Sequence, residues 1–307
     1  MSSLQSNDAV PFTATDTSQP QPIPRKFPVA AADDEIKQMT ETHQNGNGVA
    51  AATTSTEVVI DYVLSADLKP IPDPMAKIQG LVEEMESKDW ITVCDSLNDA
   101  RRFALFHSVL LIPILEKVVL VLVKAMKNPR SALCKTSIMA SADLFQVYGD
   151  GMLEDEFSVA FGQLLLQLLL KASQDKRFVC EEAEKSLNAM VQSFSALPLL
   201  HKLKAHARHT NPRVRAKAAT SISNCVKKMK PEELNEFGPA FLVRMAADLL
   251  NDRLPEAREA ARGIVISLYE SFVGDPEIEK QESWQNFCQS NLPALHAQST
   301  LKITSPQ

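Results

Sequence analysis

The sequence predicts an all-α solenoid of about five to six helical pairs, preceded by a disordered N-terminal tail. Three observations predict it. The 307-residue chain is 45% hydrophobic with only 9 Gly, which favours helices over a sandwich of strands and turns. A short helix-starting phrase recurs along the chain. Between its copies the apolar residues fall three and four apart, which is one face of a helix.

The fullest copy of the phrase is Thr210–Ala219, T-N-P-R-V-R-A-K-A-A. Asn211 suits an N-cap, because its side-chain oxygen can take a free backbone N–H of the first turn. Pro212 suits the first helical position, where no N–H is needed and φ is already right. Val214, Ala218, Ile222, Cys225 and Met229 then share one face, with Arg213, Arg215, Lys217, Lys227 and Lys228 on other positions. In R-L-P-E-A-R-E-A-A, Pro255 and Arg258 match Pro212 and Arg215. In K-N-P-R-S-A-L-C, Asn128, Pro129 and Arg130 match Asn211, Pro212 and Arg213. Q-D-K-R-F-V-C offers Asp175 as cap and Arg177 in the arginine place, and S-K-D-W-I-T-V-C offers Asp89 as cap with Trp90 after it. The aligned positions Trp90, Pro129, Lys176, Pro212 and Pro255 are separated by 39, 47, 36 and 43 residues. A period near 40 with two helices per unit is the signature of HEAT or armadillo-like repeats.

In chain order, residues 1–57 read as a disordered, acidic, Pro-rich tail that cannot bury enough apolar surface to offset its chain entropy. Arg25 and Lys26 beside Phe27 form either a docking motif or plain solvated tail. The repeat domain is expected over 58–292. Val58–Leu64 is an apolar island suited to capping the first repeat, and Asp73-Pro74 starts a helix. Five pairs are expected near 74–87 with 89–106, 113–127 with 129–148, 154–172 with 176–194, 197–209 with 212–229, and 238–251 with 255–273. Pro276–Ser290, containing Trp284 and Phe287, reads as a single capping helix. Residues 293–307 read as a loose tail.

Composition also excludes functions. The net charge of −6 gives no push toward nucleic acid, although residues 1–65 carry most of it and leave the repeats nearly neutral. No basic-then-apolar start marks a secretory signal, and charges or glutamines interrupt the apolar tracts, so no membrane insertion is expected. Five widely spaced cysteines (94, 134, 180, 225, 288) without a CxxC pair argue for a reducing, cytoplasmic setting and against a disulfide framework or zinc. They read as small residues at crowded helix contacts. No phosphate-binding loop, HExxH or GxSxG motif is present, so no enzyme, cofactor or metal is expected. His201, His206 and His209 are the one histidine cluster, read as surface or helix-end residues.

What remains is the row of loops. In a solenoid, equivalent positions of successive repeats line up along one edge. That edge would show Trp90, Arg130, Lys176, Arg177, Arg213 and Arg253, one aromatic with several cations, and Trp and Arg are enriched at binding hot spots. Such a row suits a large acidic protein partner. Structural explanations compete: Asn128, Asp175 and Asn211 can be caps alone, Arg215 and Arg258 can pair with acidic groups of a neighbouring repeat, and Trp90 can be a core residue.

Asp89-Trp90, N-P-R-S, D-K-R-F, H-T-N-P-R-V-R and P-E-A-R-E-A-A, in this order, resemble a TOG domain, closest to the crescerin and CLASP groups of microtubule regulators. The resemblance covers about residues 70–275. It implies a six-repeat HEAT paddle that binds αβ-tubulin or microtubules through the intra-repeat loop edge, in association with the cytoskeleton. By motif, the implied contact residues are Trp90, Arg130, Lys176, Arg177, Asn211, Arg213 and Arg253; Arg215 matches the motif in a structural position. The chain departs from the tandem polymerases in having one such domain, which calls for oligomerisation or a recruiting protein, and in placing Glu256 where the fourth loop has Arg213. The alternative is a HEAT or armadillo scaffold that holds another protein on its concave face.

Overall fold

The computed structural model describes residues 62–272 and 277–305. The expectations for residues 1–57, and for most of the Val58–Leu64 island, lie outside the described residues. Within them, the helices fall into pairs. These are α1 (Pro74–Met85) with α2 (Trp90–Phe106), and α4 (Leu115–Lys127) with α5 (Ser131–Tyr148). The next are α6 (Ser158–Lys171) with α7 (Arg177–Ser193), and α8 (Ala196–Leu203) with α9 (Pro212–Lys228). The last are α11 (Pro239–Leu250) with α12 (Pro255–Ser271), and α13 (Glu277–Asn291) with α14 (Ala294–Thr304). Two short helices, α3 (Ser108–Leu111) and α10 (Pro231–Phe237), sit in the turns between repeats.

Starts and stops follow local chemistry. Asp73 and Asn211 cap α1 and α9, accepting the backbone N–H of Ala76 at 3.1 Å and of Arg213 at 3.0 Å, each followed by proline at the first helical position. Pro239 cannot supply the N–H that would continue α10, and Gly238 at φ +100° turns the chain between the two helices. The second helices α2, α5, α7, α9, α12 and α14 stack in one layer, with the first helices on the other side. Each pair buries an apolar face that would be exposed alone, and Phe145, Phe161 and Phe194 interlock between the second and third pairs at centroid distances of 5.5–6.2 Å.

The C-terminal end differs from the sequence expectation. Instead of a single capping helix and a loose tail, α13 and α14 form a sixth pair. Trp284 is fully buried against Tyr269, Phe272 and Phe287, and its Nε1 donates to Thr304 Oγ1 at 3.0 Å. That bond and the buried Ala297 and Thr300 hold α14 down. Four of the five cysteines sit as expected at helix contacts: Cys94, Cys134, Cys225 and Cys288 are buried, and burial raises their thiol pKa values, Cys225 and Cys288 to about 12, whereas Cys180 is only partly buried.

Two charged networks tie the stack together. In the first, Arg101 of α2 and Asp143 of α5 form an ion pair at 2.6 Å with their side chains 0% and 2% exposed. The same guanidinium donates to the Val63 carbonyl at 2.7 Å, Asn98 Oδ1 at 2.9 Å and Ser65 Oγ at 3.1 Å, and Ser65 Oγ donates to Asp143 Oδ1 at 2.6 Å. The lead-in strand of chain is thereby pinned across both helices, with Lys135 Nζ 4.2 Å from the Tyr62 ring centre. In the second network, α9 reaches both ways. Arg215 pairs with Asp252 of the next loop at 2.8 Å, and Lys217 bridges Glu184 of α7 at 2.6 Å and Glu256 of α12 at 2.7 Å.

Arg215 and Arg258 stand at the same place, the fourth residue of their helices, and do the same job. Arg215 Nη1 donates to the carbonyls of His209 and Thr210, and Arg258 Nη1 to those of Asp252 and Arg253, at 2.8–3.2 Å. Each arginine ties its own loop back over its helix start. Among the described residues Arg258 does only this, whereas Arg215 also finds the acidic partner in the neighbouring repeat.

Removing one member of a buried pair leaves an uncompensated charge. Asp143→Ala should therefore lower the unfolding free energy by about 3–5 kcal/mol in urea denaturation, with Arg101→Met/Asp143→Leu recovering most of the loss; a loss below about 1 kcal/mol for Asp143→Ala would contradict this role for the pair.

Arg215→Ala should cost about 1–3 kcal/mol, because it strands the nearly buried Asp252. Burial raises the Asp252 carboxyl, but the hydrogen bond from Arg215 and the backbone N–H groups of Leu254 and Arg253 outweigh it and hold the value below the usual one. The stabilisation is complete above the ordinary carboxylate range and is lost as pH falls through the depressed folded value. Denaturation curves from pH 7 to pH 2 should show this acid loss in the wild type and a smaller one in Arg215→Ala.

Candidate protein-binding edge

The loop that joins the helices of each pair ends where a second helix begins, so the six second-helix N-termini share one end of their layer. The first loop carries Trp90 as the first residue of α2, set by Asp89, whose carboxylate accepts from the N–H groups of Ile91 and Thr92 and from the Thr92 hydroxyl at 2.8–3.3 Å. These bonds, the Thr92 hydroxyl first, lower the Asp89 pKa. Trp90 is half-buried and packs against the core, so it is both a core residue and an edge residue. Arg130 from the second loop lies over its indole, 5.5 Å from the ring centre. Beside this stack lies a recess of about 130 Å³, floored by Met85, Val93, Val121 and Leu133 and rimmed by Lys88, Lys124 and Arg130.

The loops do not share one register, contrary to the alignment of Asn128 and Asp175 with Asn211. In the second loop, Asn128 closes α4 and its side chain accepts from Arg130 N at 2.9 Å, so Arg130 becomes the N-cap residue and α5 starts at Ser131. In the third, Lys176 is the N-cap residue and α7 starts at Arg177, because the Asp175 carboxylate is drawn to Arg213 at 2.5 Å. Only Asp89 and Asn211 among the four proposed caps bond to the first turn of a second helix.

The candidate contact residues therefore divide. Arg130, Lys176 and Arg253 are exposed, and among the described residues the side chains of Lys176 and Arg253 have no hydrogen-bond or ion-pair partner. Arg177 is 91% exposed and pairs with Glu181 along its own helix at 2.7 Å, which raises the Arg177 pKa and lowers that of Glu181. Arg213 bridges back to the third loop, donating to Asp175 and, at 3.3 Å, to the Ser173 carbonyl. Asn211 is spent on its cap, and Arg215 on its loop and Asp252. Sequence reasoning missed Lys217 as an organiser. Burial would lower its pKa, but the Glu184 and Glu256 carboxylates outweigh that and raise it.

An open cavity of about 520 Å³ beside loops three to five is lined by Cys180, Glu184, Arg213 and Lys217. Burial and Glu184 push the Cys180 thiol up, the opposite direction to an activated nucleophile. His209 Nδ1 accepts from Asn211 N at 3.1 Å, a loop contact. Among the described residues no group of His, Cys, Asp and Glu is placed to hold a metal, and no helix is long and apolar enough to cross a membrane.

Known proteins carry the same architecture. The mouse (Mus musculus) TOG array regulator of axonemal microtubules protein 1 is 25% identical over 255 residues, 80% of this chain and 14% of that protein. Its human (Homo sapiens) counterpart is 27% identical over 128 residues, 42% of this chain and 7% of that protein. The chain thus spans a small part of these relatives. The MAST/Orbit N-terminal domain superposes with a TM-score of 0.52 at 16% identity, covering 76% of this chain and 97% of that one. A TOG domain from C. elegans Zyg9 superposes with a TM-score of 0.51 at 13% identity, covering 75% of this chain and 91% of that one. These superpositions establish the fold. The family model described as CLASP N terminal matches residues 106–277, more than half of the sequence, and the chain belongs to that family.

Proposed function

We propose that this chain binds tubulin or microtubules through the edge of intra-repeat loops, as a non-enzymatic regulator associated with the cytoskeleton in the cytoplasm. The observation that carries the reading is the Trp90–Arg130 stack with its cation-rimmed recess, continued along the same edge by Lys176 and Arg253. Membership of the CLASP N-terminal family and relatives named for TOG arrays and axonemal microtubules support it. In this proposal Trp90 and Arg130 form an anchor, and Lys176, Arg177 and Arg253 meet carboxylates. Arg213 joins them by exchanging Asp175 for a partner carboxylate. Asn211 and Arg215 act indirectly, by holding the fourth loop in shape.

A partner held on the face of the second-helix layer is the second reading. The open groove of about 760 Å³ between α9 and α12, lined by Ser223, Asn224, Glu259, Gly263, Ile266 and Glu270, favours it. The two readings place sensitive residues at different sites.

Gel filtration of the full chain with purified tubulin, at low and moderate salt, tests the proposal. Co-elution is expected at low salt and should weaken as salt rises, because exposed charges are screened beyond about 10 Å at 0.1 M. Trp90→Ala should weaken binding by about 2 kcal/mol or more, and Arg130→Ala or Lys176→Ala by about 0.5–1 kcal/mol each, with thermal melts checking the fold. Binding that survives Trp90→Ala/Arg130→Ala but fails in Glu259→Lys/Ile266→Ser would move the partner to the second-helix face.

A further inference from the structure

The aromatic residue that projects from this edge is not the one that reading the motifs singles out. Trp90 is held half inside, against the core and under Arg130. Phe178, the second residue of α7, is 43% exposed and stands clear of the core cluster. Among the described residues, the large apolar side chains exposed in the first turn of a second helix are Phe178 and Leu295. Leu295 has no cation beside it in sequence. Phe178 follows Lys176 and Arg177 directly, and both are exposed.

Phe178 lies apart from the neighbouring cavity. The cavity on the side of loops four and five is lined by Asp175, Arg177, Arg213 and Lys217, and Phe178 takes no part in it. Asp175, the acidic residue of this loop, is committed to Arg213, which leaves Lys176 without a partner beside the ring. The helix position itself makes no demand for an aromatic: its equivalents are Ile91, Ala132, Arg213, Glu256 and Leu295. An exposed phenyl ring forgoes the hydrophobic gain that burial would bring.

We propose that Phe178 is the projecting anchor of the edge, entering an apolar recess on tubulin whose rim carries carboxylates that Lys176 and Arg177 meet. The proposal rests on the tubulin reading above and specifies the chemistry of its contact. Two flanking cations select an acidic rim, and a single phenyl ring of modest exposure selects a recess rather than a flat apolar face. Anchors of this type, central and ringed by polar contacts, carry most of the energy of an interface.

Fluorescence anisotropy titrations of labelled full-length chain with tubulin at low salt test it. Phe178→Ala should weaken binding about ten-fold or more, while Phe178→Leu should stay within about three-fold because it keeps an apolar side chain. Val159→Ala, at a more exposed apolar site (70%) at the start of a first helix, should change nothing. Circular dichroism melts confirm that each variant is folded. Wild-type binding with Phe178→Ala within about two-fold of it overturns the anchor and leaves the tubulin reading standing. Absence of wild-type binding overturns the reading and the anchor together.

Discussion

The buried pair of Arg101 and Asp143 sets the geometry on which the first part of the binding edge depends. It joins α2 to α5 at 2.6 Å, and those two helices present Trp90 and Arg130 at their starts. A buried pair is a weak source of net stability, since desolvation offsets much of its attraction, but it is intolerant of misplacement. Arg101 has four acceptors around it, and the three beyond its own helix are satisfied together only when α2, α5 and the Val63–Ser65 segment sit in one arrangement. That determinacy reaches the edge as a fixed overlap between an indole and a guanidinium.

Much of the solenoid was legible because its signals are local. Proline at a helix start, a capping carboxylate or amide and a face of spacing three and four act within one turn, so the first five pairs can be read directly. What was not legible depends on partners distant in sequence. Asn128 and Asp175 have the right chemistry for caps, yet one closes the preceding helix and the other is claimed by an arginine 38 residues on. The sixth pair was hidden because α14 shows no continuous apolar stripe: its buried residues are the small Ala297 and Thr300, Leu301 and Ile303 pack only in part, and a bond from Trp284 to Thr304 completes the contact. The pairing of Arg101 with Asp143 spans 42 residues, and nothing in either neighbourhood announces it.

The candidate site was legible as a set of residue types and less so as a set of roles. The arginines of the fourth loop look alike in sequence, two residues apart, but Arg215 is turned inward to its loop and to Asp252 while Arg213 crosses to the third loop. Lys217 was invisible as an organiser because its two acceptors come from different repeats. Charge along the edge is thus largely internal from the third loop to the fifth, apart from Lys176 and Arg253, and open around the first two.

The cross-links between loops also have a mechanical meaning. Loops one and two are joined by the Trp90–Arg130 stack, and loops three, four and five by Asp175–Arg213, Arg215–Asp252 and the Lys217 bridge. Among the described residues, no such tie joins loop two to loop three; the nearest, Lys135 to Glu182 at 3.8 Å, lies more than a turn into the helices. The side-chain ties of the edge therefore fall into two groups, and between them α5 and α7 are joined by their packing and by the Lys135–Glu182 pair. Arg130 and Lys176 stand on either side of that junction, and their spacing is set by the packing of α5 on α7 rather than by an ion pair between the loops.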